Sequence, residues 1–132
     1  MEKTKLKTQK EKLETSAVAY GRHLKISPTK VRDLLDLIRG KNIAEAETIL
    51  KFSGRKGGGL ALKVLRSAHA NAGSPDKEGW VVTEAQADKG PIFRRRLDPK
   101  PRGARGLITT YSTHLKVGIG SKETERKDQK DA

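Results

Sequence analysis

Residues 80–120, WVVTEAQADKGPIFRRRLDPKPRGARGLITTYSTHLKVGIG, decide the fold. The segment reads as two strands joined at a basic, proline-rich tip running from Phe93 to Arg105. In the first arm, Val81, Thr83, Ala85 and Ala87 alternate with Glu84, Gln86 and Asp88. In the second, Leu107, Thr109, Tyr111, Thr113, Leu115, Val117 and Ile119 share one face, and Thr110, Ser112, His114 and Lys116 share the other. A period of two is the signature of a half-buried strand. Two such arms in succession predict an antiparallel hairpin over residues 80–120. Arms of about eleven to fourteen residues at about 3.3 Å each would reach roughly 35–45 Å. A small domain has little surface with which to cover that length, so the base is expected to pack and the tip to project.

The tip is expected to break the ladder, because Pro91, Pro99 and Pro101 lack amide hydrogens. Between Arg94 and Arg105 stand six basic residues (Arg94, Arg95, Arg96, Lys100, Arg102 and Arg105) against one acid, Asp98. A projecting cluster of this kind repels itself unless an anion neutralises it. Phosphate suits the planar donor fork of arginine. Phe93 beside the arginines could stack on an unpaired base or pack within the tip.

The whole chain is basic: 132 residues carry a formal charge of +13. The excess is not confined to a tail. Residues 16–79 hold twelve basic against six acidic side chains, and residues 80–120 hold eight against three. A folded surface that is cationic on several sides points to a polyanion. The absence of cysteine excludes disulfides and thiolate metal sites. No apolar run reaches the roughly 18 residues of a membrane span, and no secretory signal is evident at the N-terminus. A cytoplasmic location is expected, with no membrane partner.

The length fits one domain, expected over residues 16–120. It would be flanked by a basic tail at 1–15, a frayed helix or disordered without a partner, and a disordered, charge-balanced tail at 121–132. A short strand is expected at Ser16–Arg22. Ser27-Pro28 starts a first helix, in which Val31, Leu34, Leu35 and Ile38 form the apolar stripe and Gly40 the stop. Asn42 and Glu45 resemble a capping box ahead of Ile43, Ala46, Ile49 and Leu50. Arg55 to Gly59 reads as a flexible basic linker, without the spacing of a phosphate-binding P-loop. A third helix is expected at Leu60–Ala72, burying Ala61, Val64, Leu65, Ala68 and Ala72. The fold class is therefore α+β: three helices packed on a small antiparallel sheet with a long protruding β-hairpin.

Nothing in the pattern suggests an enzyme. His23, His69 and His114 are distant in sequence and lack metal-ligand spacing. Asp33 and Asp36 share a solvated helix face, and no serine or threonine sits in a nucleophile motif. No catalytic residue, metal or cofactor is expected.

Several segments together resemble the L-twenty-two family of large-ribosomal-subunit proteins. Ile26 to Arg32 and Leu35 to Lys41 are similar to its first helix, and Val64 to Ala72 to its third. Glu84-Ala85 to Gly90-Pro91 resembles the outgoing hairpin arm; Arg102 to Arg105 and Ser112 to Leu115 resemble the return. The resemblance runs from Val18 to Gly120. It implies a structural component of the large subunit that binds large-subunit rRNA beside other ribosomal proteins. It also implies a hairpin tip, entered through Gly90, Pro91, Ile92, Phe93, Arg94, Arg95 and Arg96, that lines the nascent-peptide tunnel. Contact with the nascent peptide and an influence on macrolide sensitivity would follow.

The RNA-binding residues expected are Arg22, Lys25, Lys30, Arg32, Arg39, Lys41, Arg55, Lys56, Arg66, Lys89, Arg94, Arg95, Arg96, Lys100, Arg102, Arg105 and His114. The alternative to this reading is a free architectural nucleic-acid-binding protein that coats or bends duplexes.

Overall fold

The computed structural model describes residues 15–73 and 77–121. Of the expected tails at 1–15 and 121–132, residues 1–14 and 122–132 lie outside the described residues, as does the Ser74-Pro75-Asp76 turn, while Ser121 is the last residue of a strand. The chain runs β1 (Ala17–Leu24), α1 (Pro28–Ile38), α2 (Ile43–Phe52), α3 (Lys56–Ala72), β2 (Trp80–Pro99) and β3 (Arg105–Ser121). The three strands form one antiparallel sheet in the order β1-β3-β2. All three helices lie on one side of it: α3 against β1 and β3, α1 against β2, and α2 against α1 and α3. The α+β class and the long hairpin are as expected.

Between sheet and helices lies one core. The α1 stripe of Val31, Leu34, Leu35 and Ile38 is buried, as are Ile43, Ala46 and Leu50 of α2 and Ala61, Val64, Leu65 and Ala68 of α3. The sheet supplies Ala17, Ala19, Val82, Ala85, Ala87, Leu115, Val117 and Ile119. Ile49, Ala72 and Trp80 are partly buried at its margin. Small alanines on β1 and α3 let those two elements approach closely.

Several local expectations are corrected. Arg55 to Gly59 is not a linker, because α3 already begins at Lys56. Its glycines lie where helices crowd together. A Cβ on Gly58 would meet the side-chain oxygen of Ser53 and come within 2.7 Å of the Leu50 carbonyl oxygen. Tertiary packing thus overrides the low helix propensity of glycine. Ser27 and Asn42 do occupy the N-cap positions, but neither side chain makes a capping hydrogen bond.

The first hairpin arm changes phase. A register shift between Val82 and Glu84 places Val82, not Thr83, in the core with Ala85 and Ala87. A bulge inserts one residue and so flips the face on which later side chains emerge.

The largest correction concerns the tip. The ladder does not stop at Pro91: β2 and β3 pair from Trp80↔Ser121 to Pro99↔Arg105. The 20 residues of β2, at about 3.3 Å each, follow a path of roughly 60 Å. The prolines are accommodated because β2 is an edge strand, where a missing amide hydrogen faces away from the ladder. Gly90-Pro91 falls in a second register shift between Lys89 and Ile92, and the Ser112 hydroxyl donates to the Pro91 carbonyl oxygen at 2.8 Å. Only residues 100–104 form the turn. Arg102 and Gly103 both have positive φ, 61° and 74°, and the Ala104 amide donates to the Pro101 carbonyl oxygen at 3.4 Å. Two consecutive left-handed residues closed by that bond give the sense of turn that matches strand twist.

Candidate nucleic-acid interface

β1 pairs with β3 only from Ala17↔Ile119 to Leu24↔Thr113. Beyond Thr113 and Lys89 the sheet narrows to two strands, and residues 93–97 are all exposed. The register fixes where the arginines of this ribbon stand. Arg94 lies opposite Thr110, Arg95 opposite Thr109 and Arg96 opposite Ile108. Successive side chains emerge on opposite faces, so Arg95 faces one way and Arg94 and Arg96 the other. Exposed Leu97 and Leu107 form a cross-strand pair beside them. Phe93 falls within a register shift between Ile92 and Arg94 and is 42% exposed. Lys100, Arg102 and Arg105 are exposed at the turn. The seven residues Gly90 to Arg96 lie in β2, with Gly90 and Pro91 inside the second register shift and Phe93 inside the third.

At the root of the ribbon the Lys89 ammonium stands 3.6 Å from the centroid of the Tyr111 ring. A hydrogen bond from Thr109, aided by the charge of Lys89, holds the Tyr111 phenol below its ordinary value of 10.0. These contacts join β2 to β3 close to where β1 ends.

Around the helices, Lys30, Arg55 and Lys56 converge on a hollow also lined by Ile26, Asp33 and Gly57. The Lys56 ammonium donates to the Lys25 carbonyl oxygen at 3.1 Å, which brings Lys25 to the same edge. Lys41 is exposed beside the loop that joins α1 to α2. That loop is pinned to β2, because the Gly40 amide donates to the Val82 carbonyl oxygen and the Val82 amide donates to that of Lys41.

Three expected phosphate ligands already have partners within the chain. The Arg39 guanidinium donates to the Ala85 carbonyl oxygen at 2.6 Å and pairs with Asp36 at 2.9 Å. Arg32 donates to the Ala87 carbonyl oxygen at 3.2 Å. Arg66 pairs with Glu47 at 3.6 Å, a carboxylate also approached by Lys77 at 3.2 Å and Lys51 at 3.8 Å. Each of these arginines keeps exposed surface, so its outer donors remain open to a phosphate.

His23 and His114, distant in sequence, meet at the end of β1. The His23 amide donates to His114 Nδ1 at 3.1 Å, and the rings stand edge to face with centroids 4.7 Å apart. His23 is held in the left-handed region at φ 54°. His114 is thus committed through Nδ1 to the backbone, and its Nε2 packs against Gly90, where an added Cβ would come within 3.0 Å of it. Among the described residues no cluster of three His, Cys, Asp or Glu side chains could hold a metal ion. Among them too, no helix is long and apolar enough to cross a membrane.

Sequence reasoning passed over Tyr20, which is 61% exposed on the side of the sheet away from the helices. Its signal is an aromatic residue alternating with the buried Ala17 and Ala19.

Cationic side chains thus occupy the ribbon, the turn, the hollow at the start of α3 and the open end of β1, with no catalytic constellation among them. Over residues 19–120 the chain matches the family model described as Ribosomal protein L22p/L17e. That span takes in every described element except the first two residues of β1 and the last of β3. The chain belongs to the ribosomal protein L22p/L17e family, the rRNA-binding structural proteins of the large ribosomal subunit.

Proposed function

We propose that residues 16–120 anchor the chain on large-subunit rRNA and that the hairpin threads between RNA segments to line the nascent-peptide tunnel. The observation that carries this reading is the register of the ribbon: Arg95 emerges on one face, and Arg94 and Arg96 on the other. A finger with cations on both faces needs polyanion on both sides. A protein that merely lies along a duplex needs them on one. The exposed Phe93, Leu97 and Leu107 would then meet bases or the passing peptide instead of bulk water.

The cations around the helices would neutralise phosphates on the outside of the subunit, where shape and backbone contacts dominate over base reading. Gly90 to Arg96 would form the flank of the tunnel wall. The Lys100–Ala104 turn would reach furthest along it. Other large-subunit proteins are the neighbours, and the work is done in the ribosome, in the cytoplasm. No catalysis and no cofactor belong to this reading.

Sucrose-gradient sedimentation at high salt tests it. The chain is expected to stay with the large subunit, and crosslinks from positions 94, 95 and 96 are expected to reach rRNA segments on both sides of the ribbon. Release at modest salt with equal affinity for unrelated duplex DNA would support a free architectural binder instead. Replacing Arg94, Arg95 and Arg96 with alanine should flatten the salt dependence of rRNA binding by about two to three in log–log slope.

A further inference from the structure

We infer that Tyr20 and Arg22 form a slot for one unpaired nucleobase of the rRNA, on the sheet face opposite the helices. The inference rests on the rRNA-binding reading and assigns it a contact of a different kind from phosphate neutralisation.

An exposed tyrosine alone is ordinary; its surroundings carry the argument. Tyr20 and Arg22 are two apart on β1 and both exposed. Arg22 falls in the register shift between Gly21 and Leu24, beside His23 at φ 54°, so the observed contact and not the regular strand repeat gives the spacing of the pair. Admitting one planar base between two walls needs about twice the 3.4 Å stacking interval, or roughly 6.8 Å. The Arg22 guanidinium carbon lies 6.0 Å from the centroid of the Tyr20 ring. That is the outer limit of a direct cation–π contact and about 0.8 Å short of the width an inserted base requires, so the exposed Arg22 side chain moves outward to admit one. Both walls have flat π surfaces on which a base stacks.

The neighbouring strand selects base over backbone. Lys116, directly opposite Tyr20, is bound to Glu84 at 2.8 Å, and the bond raises its pKa above the usual 10.5. Asp88 stands opposite His114 one row further along. This patch is close to neutral within a strongly basic protein. It suits an uncharged base, whose phosphates would be taken up by Arg22 and the cations beyond it.

The test measures binding of the full chain to deproteinised large-subunit rRNA across a range of salt. Tyr20→Ala should weaken binding by about 5- to 150-fold, the range for one stacked base, with the salt slope unchanged. Tyr20→Phe should bind as the unaltered chain does, and Arg22→Gln should lose affinity and about 0.7 of slope. Circular dichroism melts should coincide for the unaltered chain and both Tyr20 variants, because the side chain is exposed. Equal loss in Tyr20→Ala and Tyr20→Phe would overturn the slot in favour of a hydroxyl hydrogen bond. Full affinity in Tyr20→Ala, with loss in the Arg94, Arg95 and Arg96 alanine variant, would overturn the slot and leave the rRNA reading standing. An unaltered chain that binds unrelated duplex DNA as tightly as rRNA would overturn both.

Discussion

The guanidinium of Arg39 donates to the carbonyl oxygen of Ala85 at 2.6 Å. Two turns earlier on α1, Arg32 does the same to Ala87 at 3.2 Å. β2 is an edge strand, so its outward carbonyl oxygens have no strand to bond. Two arginines seal that edge where the hairpin leaves the domain, which ties the direction of the finger to α1. Native proteins commonly protect exposed edges by covering them.

Arg39→Gln is therefore expected to destabilise the isolated protein as well as weaken RNA binding. A hydrogen bond from a charged donor contributes about 1.5–3 kcal/mol when sheltered. Arg39 is about half exposed, so a loss of about 1 kcal/mol is expected, or roughly 3–5 °C in Tm. Thermal melts without RNA check this. An unchanged Tm would mean that Arg39 serves RNA alone.

Among the described residues Glu47 is the one buried charge, 6% exposed and ringed by Lys51, Arg66 and Lys77. Glu47→Gln keeps the shape and removes the charge. We expect a loss of about 1–2 kcal/mol, less than for a fully buried pair because the cations are half in water. Arg66→Ala should cost under about 0.5 kcal/mol, since two cations remain. Urea denaturation of both variants measures the difference, and a larger effect at Arg66 would contradict the arrangement.

Neighbouring glycines of α3 should respond with opposite sign. Gly58→Ala drives a methyl into Ser53 and the Leu50 carbonyl, and a loss of about 1–3 kcal/mol is expected. Nothing lies within 4 Å of the corresponding position on Gly59, so Gly59→Ala should gain about 0.5–1 kcal/mol from helix propensity. Two denaturation curves decide it. A gain at Gly58 would refute the close helix contact.

Tyr111 offers a pH readout of the ribbon's root. In a Tyr20→Phe chain it is the only tyrosine left. Its phenol should titrate below 10.0, because Thr109 hydrogen-bonds the phenolate and Lys89 attracts it. A lowered folded value means that ionisation favours the fold: this contribution is present above the unfolded pKa and is lost as pH falls through the folded one. Absorbance at alkaline pH follows the transition. Thr109→Val should move the midpoint upward, and no movement would remove Thr109 as the main cause.

Much of this protein is legible without coordinates. The stripe Val31, Leu34, Leu35, Ile38 and the alternation Thr113, Leu115, Val117, Ile119 each record which face is buried, because periods of 3.6 and 2 follow from backbone geometry alone. The basic excess and the ordered family motifs point to RNA for the same local reason: charge and residue type are properties of the chain itself. Tertiary structure decided the rest. Which carbonyls Arg32 and Arg39 reach and which cations gather on Glu47 depend on partners up to 55 residues away. Local pattern carries no record of such partners. The ladder through Pro91 and Pro99 depends on β2 lying at the sheet edge, and the helical Lys56-Gly57-Gly58-Gly59 depends on neighbours that tolerate no Cβ at Gly58. Propensity weighs a residue against its own backbone, whereas strand order and helix packing set the environment that overrules it.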